Sequence, residues 1–113
     1  MAKIDSGSGA VELTDANVGK AIAGATVIGQ GNDLTLDLTK TYAQPPAGSY
    51  PLFLATYEIV CSKGYDAATA TAVKSFLTVA ATDGQANLSA AGYAPPLPAE
   101  FQQKLLTAIQ AIA

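Results

Sequence analysis

Residues 52–61, LFLATYEIVC, are the longest nearly unbroken apolar run in the chain. Leu52, Phe53, Leu54, Tyr57, Ile59 and Val60 suit a strand better than a surface helix. Pro45, Pro46 and Gly48 precede the run and Gly64 follows it, so turn residues bound it on both sides. The odd-numbered face carries Phe53, Ala55, Tyr57, Ile59 and Cys61. The even face carries Leu52, Leu54 and Val60, interrupted by Thr56 and Glu58. With both faces mainly apolar, the pattern predicts a central strand covered on both sides, with Leu54, Tyr57 and Ile59 buried. The rest of the chain reads as material to cover it.

That covering is apolar-rich. Half of the 113 residues are hydrophobic and only 13% are charged, against about 25% in an average domain. The length suits one domain with a modest core. So little charge fits better a piece of something larger, with one face covered by other chain. The net charge is −3, and six scattered lysines supply all the positive charge. No basic patch exists for nucleic acid. Arginine and histidine are absent, which removes a bidentate anion clamp, an imidazole base and histidine metal ligation. Cys61 stands alone, so no internal disulfide is available. At the end of an apolar strand it is most simply a buried small hydrophobe. A disulfide partner outside this chain and a reactive thiol are the alternatives. No stretch approaches the roughly 20 apolar residues of a membrane span. Met1, Ala2 and Lys3 lead straight into a strand-like segment, so no signal peptide is expected.

In chain order, residues 3–13, KIDSGSGAVEL, read as two short extended pieces around a Ser6-Gly7-Ser8-Gly9 turn. Such a loop can cradle an anion through backbone N–H groups. No helix follows immediately and the phosphate-loop lysine is missing, which favours a plain turn. Thr14 caps a helix that ends near residue 25, with Asp15 in its first turn. Leu34, Leu36 and Leu38 alternate with Thr35, Asp37 and Thr39, as in a half-buried edge strand. Residues 41–48 read as a Pro/Gly loop. Asp66 caps a helix over 67–81 with Ala70, Val73, Leu77 and Ala80 on one stripe and Phe76 alongside. Residues 85–91 suggest one more short helix closed by Gly92. Residues 94–98 form a rigid proline connector into a last helix over 99–112, with Phe101, Leu105, Ala108, Ile109 and Ile112 on one face.

Catalytic chemistry is thin. Glu58 is the one charge inside the strand; it either titrates as a raised-pKa acid, or leaves the core or hydrogen-bonds backbone. Asp33 and Asp37 are expected to solvate the outer face of their strand. Serines have no histidine to activate them. No enzyme activity, metal or cofactor is expected.

Two stretches carry a resemblance: VGKAIAGATVIGQGNDLTLDL at 18–38 and GSYPLFLATYEIVCSK at 48–63. They resemble the C-terminal portion of the phosphate-binding proteins of bacterial phosphate ABC importers, the PstS family, nearest its mycobacterial branch. AVKSFLTVA at 72–80, a glycine break and PPLPAEFQQKLLTAIQAIA at 95–113 follow in the family's order. The resemblance implies an α/β fold: part of a type II periplasmic-binding-protein lobe, a small mixed sheet covered by about three helices. Residues 3–13 would be a crossover or hairpin and 14–113 a C-terminal lobe segment. It implies inorganic phosphate and an ABC permease as partners of the full-length parent, which would be extracytoplasmic and lipid-anchored. The family's ligand motifs, including an Arg-x-x-x-Ser-Gly-Thr segment, do not align here. No ligand residue is carried over, and the chain is not expected to bind phosphate alone. A strand lacking neighbours exposes free N–H and C=O groups, so a homodimer is expected. The alternative is a monomer in which segment 3–13 or 34–38 covers the edge.

Overall fold

A computed structural model describes residues 1–88, 90–92 and 96–113. Strands β1 (Ile4–Asp5) and β2 (Ala10–Val11) form an antiparallel hairpin pairing Ile4 with Val11 and Asp5 with Ala10. Helix α1 (Asp15–Ala23) follows. Strands β3 (Thr26–Val27) and β4 (Leu36–Asp37) form a second antiparallel pair, joining Thr26 to Asp37 and Val27 to Leu36. A short helix, α2 (Thr39–Ala43), comes next. The C-terminal half holds α3 (Ala67–Ala81), α4 (Asp83–Ala86) and α5 (Ala99–Gln110). The chain is thus mixed α/β, with small sheets and several helices.

Local chemistry accounts for the helices. Thr14 is extended, and its hydroxyl accepts from the Asn17 N–H at 3.2 Å, starting α1. Asp66 Oδ1 accepts from the Ala68 and Thr69 N–H groups, each at 3.0 Å, and Oδ2 from the Thr69 hydroxyl at 2.6 Å. That hydroxyl, followed by the Thr69 N–H, holds the Asp66 carboxyl below the usual carboxylate range. At the other end of α3, Gln102 on α5 donates to the Ala81 carbonyl at 2.6 Å. A terminal carbonyl thereby gains a partner from the neighbouring helix.

Two separate clusters supply the apolar packing. Leu77, Ala81, Ile109 and Ile112 are buried together, with Tyr65, Val73, Leu105 and Leu106 against them. The 73/77/81 and 105/109 spacings put these residues on facing stripes of α3 and α5. Ile112, just past the α5 C-cap at Ala111, folds in beside them; α5 itself stops two residues short of the expected helix end. Val11, Val18 and Tyr50 form the other cluster, with Ile4, Ile22 and Phe53 around it.

The expected central strand does not form: among the described residues, 52–61 are neither helix nor strand and pair with no other strand. Leu54 is 91% exposed, Ile59 94% and Tyr57 48%, where burial was expected. The pattern registers a need for cover on both faces. The candidate neighbours satisfy each other instead, β1 with β2 and β3 with β4, leaving two small antiparallel sheets in place of one mixed sheet. Three smaller differences share a local cause. The run at 34–38 shortens to two residues because Leu38 turns into α2, which occupies part of the expected Pro/Gly loop. Ala80 faces solvent while Ala81 is buried, so the α3 stripe is shifted by one residue. The expected helix at 85–91 is replaced by the earlier α4; residue 89 lies outside the described residues, as do 93–95 of the Gly92–proline connector.

The chain exposes 7241 Å². A compact protein of 11.4 kDa would expose about 5,800 Å², so roughly 1,400 Å² is in excess. Its radius of gyration, 15.8 Å, likewise exceeds the about 13 Å of a compact chain of this length.

Leu77→Ala opens a cavity between α3 and α5 and is expected to cost about 2–4 kcal/mol in denaturant unfolding. Phe76→Ala, on the 66% exposed side of the same helix, is expected to stay within about 0.5 kcal/mol. Because the Asp66 carboxyl is lowered in the fold, its contribution is complete above the unfolded aspartate range and is lost as pH falls toward the lowered value. Far-ultraviolet dichroism is expected to show Asp66→Ala reducing helix stability at neutral pH and flattening the wild-type decline between about pH 5 and pH 2.

Candidate functional site

Two places in the sequence offered chemistry: the Ser6–Gly9 turn and the run at 52–61. The turn closes the β1–β2 hairpin, and Gly7 and Gly9 take φ values of 98° and 96°, which favour glycine. Their N–H groups do point to one spot. It is filled by the chain itself: Asp5 Oδ1 accepts from Gly7 at 2.9 Å and from Gly9 at 3.1 Å. A carboxylate of the chain occupies the position an external anion would take. The plain turn is what forms.

Beside this turn, the Gly48 N–H donates to Ser8 Oγ at 3.1 Å, and Lys20 Nζ lies 3.5 Å from the Gly48 carbonyl and 3.4 Å from Asn17 Oδ1. The Tyr50 N–H donates to the Asn17 carbonyl at 2.9 Å. These bonds lash residues 48–50 to α1 and the hairpin. Lys20 spends its ammonium on neutral oxygens and serves as a strut here. Among the described residues, the buried hydroxyls of Thr41 and Ser49 find no partner.

Phe53 still packs against the α1 cluster, and its N–H closes a tight turn on the Pro51 carbonyl at 3.0 Å; the chain then runs on through residues 54–61 as neither helix nor strand. Tyrosine hydroxyls tether it. Tyr42 donates to the Phe53 carbonyl at 2.9 Å, and its ring meets Phe53 with centroids 6.0 Å apart, tilted by 58°. The Tyr57 hydroxyl accepts from the Leu36 N–H at 3.1 Å, and Tyr65 from the Cys61 N–H at 2.9 Å. The Ala113 N–H donates to the Ser62 carbonyl at 3.0 Å. Between 54 and 60 no backbone group has a partner within the described residues. Glu58 is exposed, so it turns away from any core rather than being held in one. Cys61 is exposed as well, against the expectation of burial, because the strand it ends has no cover.

The acidic groups elsewhere do structural work. Asp33 Oδ1 accepts from the Thr35 hydroxyl at 2.6 Å and from its N–H at 2.9 Å, which lowers its carboxyl pKa. Asp37 accepts from the Thr39 N–H at 2.9 Å at the start of α2 and is lowered likewise. Among the described residues no group of three potential ligands could hold a metal ion. An open recess near α5 is lined by Val27, Leu34, Lys104 and Thr107 among others. Its one ammonium already pairs with Glu100 at 3.3 Å.

The described chain is therefore packing and tethers around one bare apolar segment. The chain is 50% identical over 115 residues to phosphate-binding protein PstS 2 of Mycobacterium tuberculosis, a match taking in all of this chain and 31% of the relative. Phosphate-binding protein PstS 3 of the same species matches with the same identity and coverage. PstS 3 of Mycobacterium leprae is 53% identical over 97 residues, covering 86% of this chain and 26% of the relative. No protein-family model matches. The chain spans about a third of the length of these PstS relatives, in their C-terminal portion.

Cys61 is expected to react with thiol reagents in the native protein, in dilute solution, within a few-fold of the rate of unfolded chain. A native rate lower by orders of magnitude would mean that the segment is covered.

Proposed function

We propose that the chain is the C-terminal part of the substrate-binding subunit of a bacterial phosphate ABC importer, and that it supplies scaffold rather than ligand groups. The match at 50% identity over the whole chain to proteins named for phosphate binding carries this reading. On it, residues 3–13 are the crossover or hairpin segment and 14–113 belong to the C-terminal lobe of a type II periplasmic-binding-protein fold. The segment at 52–61 is then a sheet strand completed by the remainder of the receptor. Phosphate and an ABC permease are partners of that whole protein, which works outside the cytoplasm on a lipid anchor. The role is binding, not catalysis. No described helix is long and apolar enough to cross a membrane.

Phosphate recognition needs several convergent donors, and charge-assisted ones are the strongest. This chain has no arginine, and its one N–H nest is already filled by Asp5. Calorimetry is therefore expected to show no saturable phosphate binding by the isolated chain at micromolar concentrations. A hybrid receptor, with this chain replacing the matching portion of the tuberculosis PstS 2, is expected to bind phosphate within about tenfold of the natural affinity. A folded hybrid without binding would overturn the proposal.

A further inference from the structure

The bare segment is self-complementary, and we propose that in the isolated chain a second copy covers it by antiparallel strand pairing. The inference stands on the segment itself and holds whether or not the receptor assignment does. Phe53 is engaged through its ring and its carbonyl, and Cys61 through its N–H. The stretch left with free backbone groups is 54–60. Its midpoint is Tyr57. A two-fold axis through that residue sets Leu54 opposite Val60, Ala55 opposite Ile59 and Thr56 opposite Glu58. Apolar residues meet apolar ones on both faces, polar meets polar, and the two tyrosines pair at the axis. Directly opposed side chains are the pairs that stabilise an antiparallel ladder. Moving the axis to Glu58 would oppose two carboxylates. Moving it to Thr56 would set Leu54 against Glu58. The stretch therefore selects its own register.

The surface available is sufficient. The chain exposes roughly 1,400 Å² more than a compact protein of its mass, and a stable interface takes about 800 Å² from each partner. A two-fold pair is the commonest closed arrangement. The ladder also gives partners to backbone groups that are otherwise left to water between apolar side chains.

Sedimentation at tens of micromolar is expected to give a dimer of the 113-residue chain. Thr56→Pro removes an N–H and disfavours the ladder. It is expected to weaken the dimer at least about tenfold with helical dichroism unchanged, since position 56 makes no hydrogen bond within the protomer. Register is read by oxidation. In a Cys61→Ser background, thiols introduced by Tyr57→Cys lie across the axis and are expected to cross-link. Native Cys61 is expected not to, because its two copies lie about 27 Å apart along the ladder. Three results would overturn the proposal. One is a monomer at these concentrations, including one that associates only with the complementary portion of a PstS relative. Another is a dimer indifferent to Thr56→Pro. The third is cross-linking through native Cys61 in preference to Tyr57→Cys.

Discussion

Backbone hydrogen bonding along residues 54–60 governs the rest of the molecule. A peptide group in a half-exposed apolar strand needs a ladder partner or free access to water. Here the flanks are satisfied by the hydroxyls of Tyr42 and Tyr65 and by the Ala113 N–H on the Ser62 carbonyl. The middle has no such substitute. The tethers fix where the segment runs and leave its edges open. Leu54 and Ile59, with nine-tenths of their surface in water, are the direct consequence.

The same constraint divides the packing. A strand at the centre of a sheet would let α1 cover one face and α3 or α5 the other, joining both clusters into one core. With no sheet around 52–61, Val11, Val18 and Tyr50 close on α1 alone, and Leu77, Ala81, Ile109 and Ile112 close between α3 and α5 alone. Neither cluster is large. Each relies on caps and crossing side chains for definition: Thr14 and Asp66 at helix starts, and Gln102 on the α3 terminus. These bonds fix geometry within a few residues or between two helices. They do nothing for the extended segment between the clusters.

Local chemistry was legible in the sequence, and non-local pairing was not. Thr14 and Asp66 announce α1 and α3 because a cap acts within three residues of itself. The stripe Leu105, Ile109 and Ile112 announces the buried side of α5 for the same reason. The Ser6–Gly9 turn was readable as a turn, yet Asp5 filling its N–H nest was not, since an aspartate beside a strand has many other uses. α2 was hidden behind Pro45, Pro46 and Gly48, which mark a loop but do not say where it begins. The run at 52–61 was read as a central strand and forms none, because alternation cannot name the neighbours. Its hydrophobicity states how much cover the strand needs, not which chain provides it. The kinship with PstS proteins was legible through the wording of residues 18–38 and 48–63, a signal independent of any packing.

That division bears on how phosphate recognition would be distributed under the proposed function. A receptor's ligand groups must converge on a dehydrated anion, which calls for charged or N–H donors held without competing partners. In this chain several of the candidate donors are committed. The Gly7 and Gly9 N–H groups serve Asp5, Lys20 serves the Gly48 carbonyl and Asn17, and Lys104 serves Glu100. The other lysines, Lys3, Lys40, Lys63 and Lys74, are scattered along the chain, and the segment at 54–60 offers exposed apolar surface and free backbone rather than charge-assisted donors. Under that proposal the chain's contribution to a phosphate receptor would be geometric. It would hold the 52–61 segment and two packed helices in place so that donors borne elsewhere could converge, and on the self-pairing proposal the same segment, left without that setting, would draw two copies together.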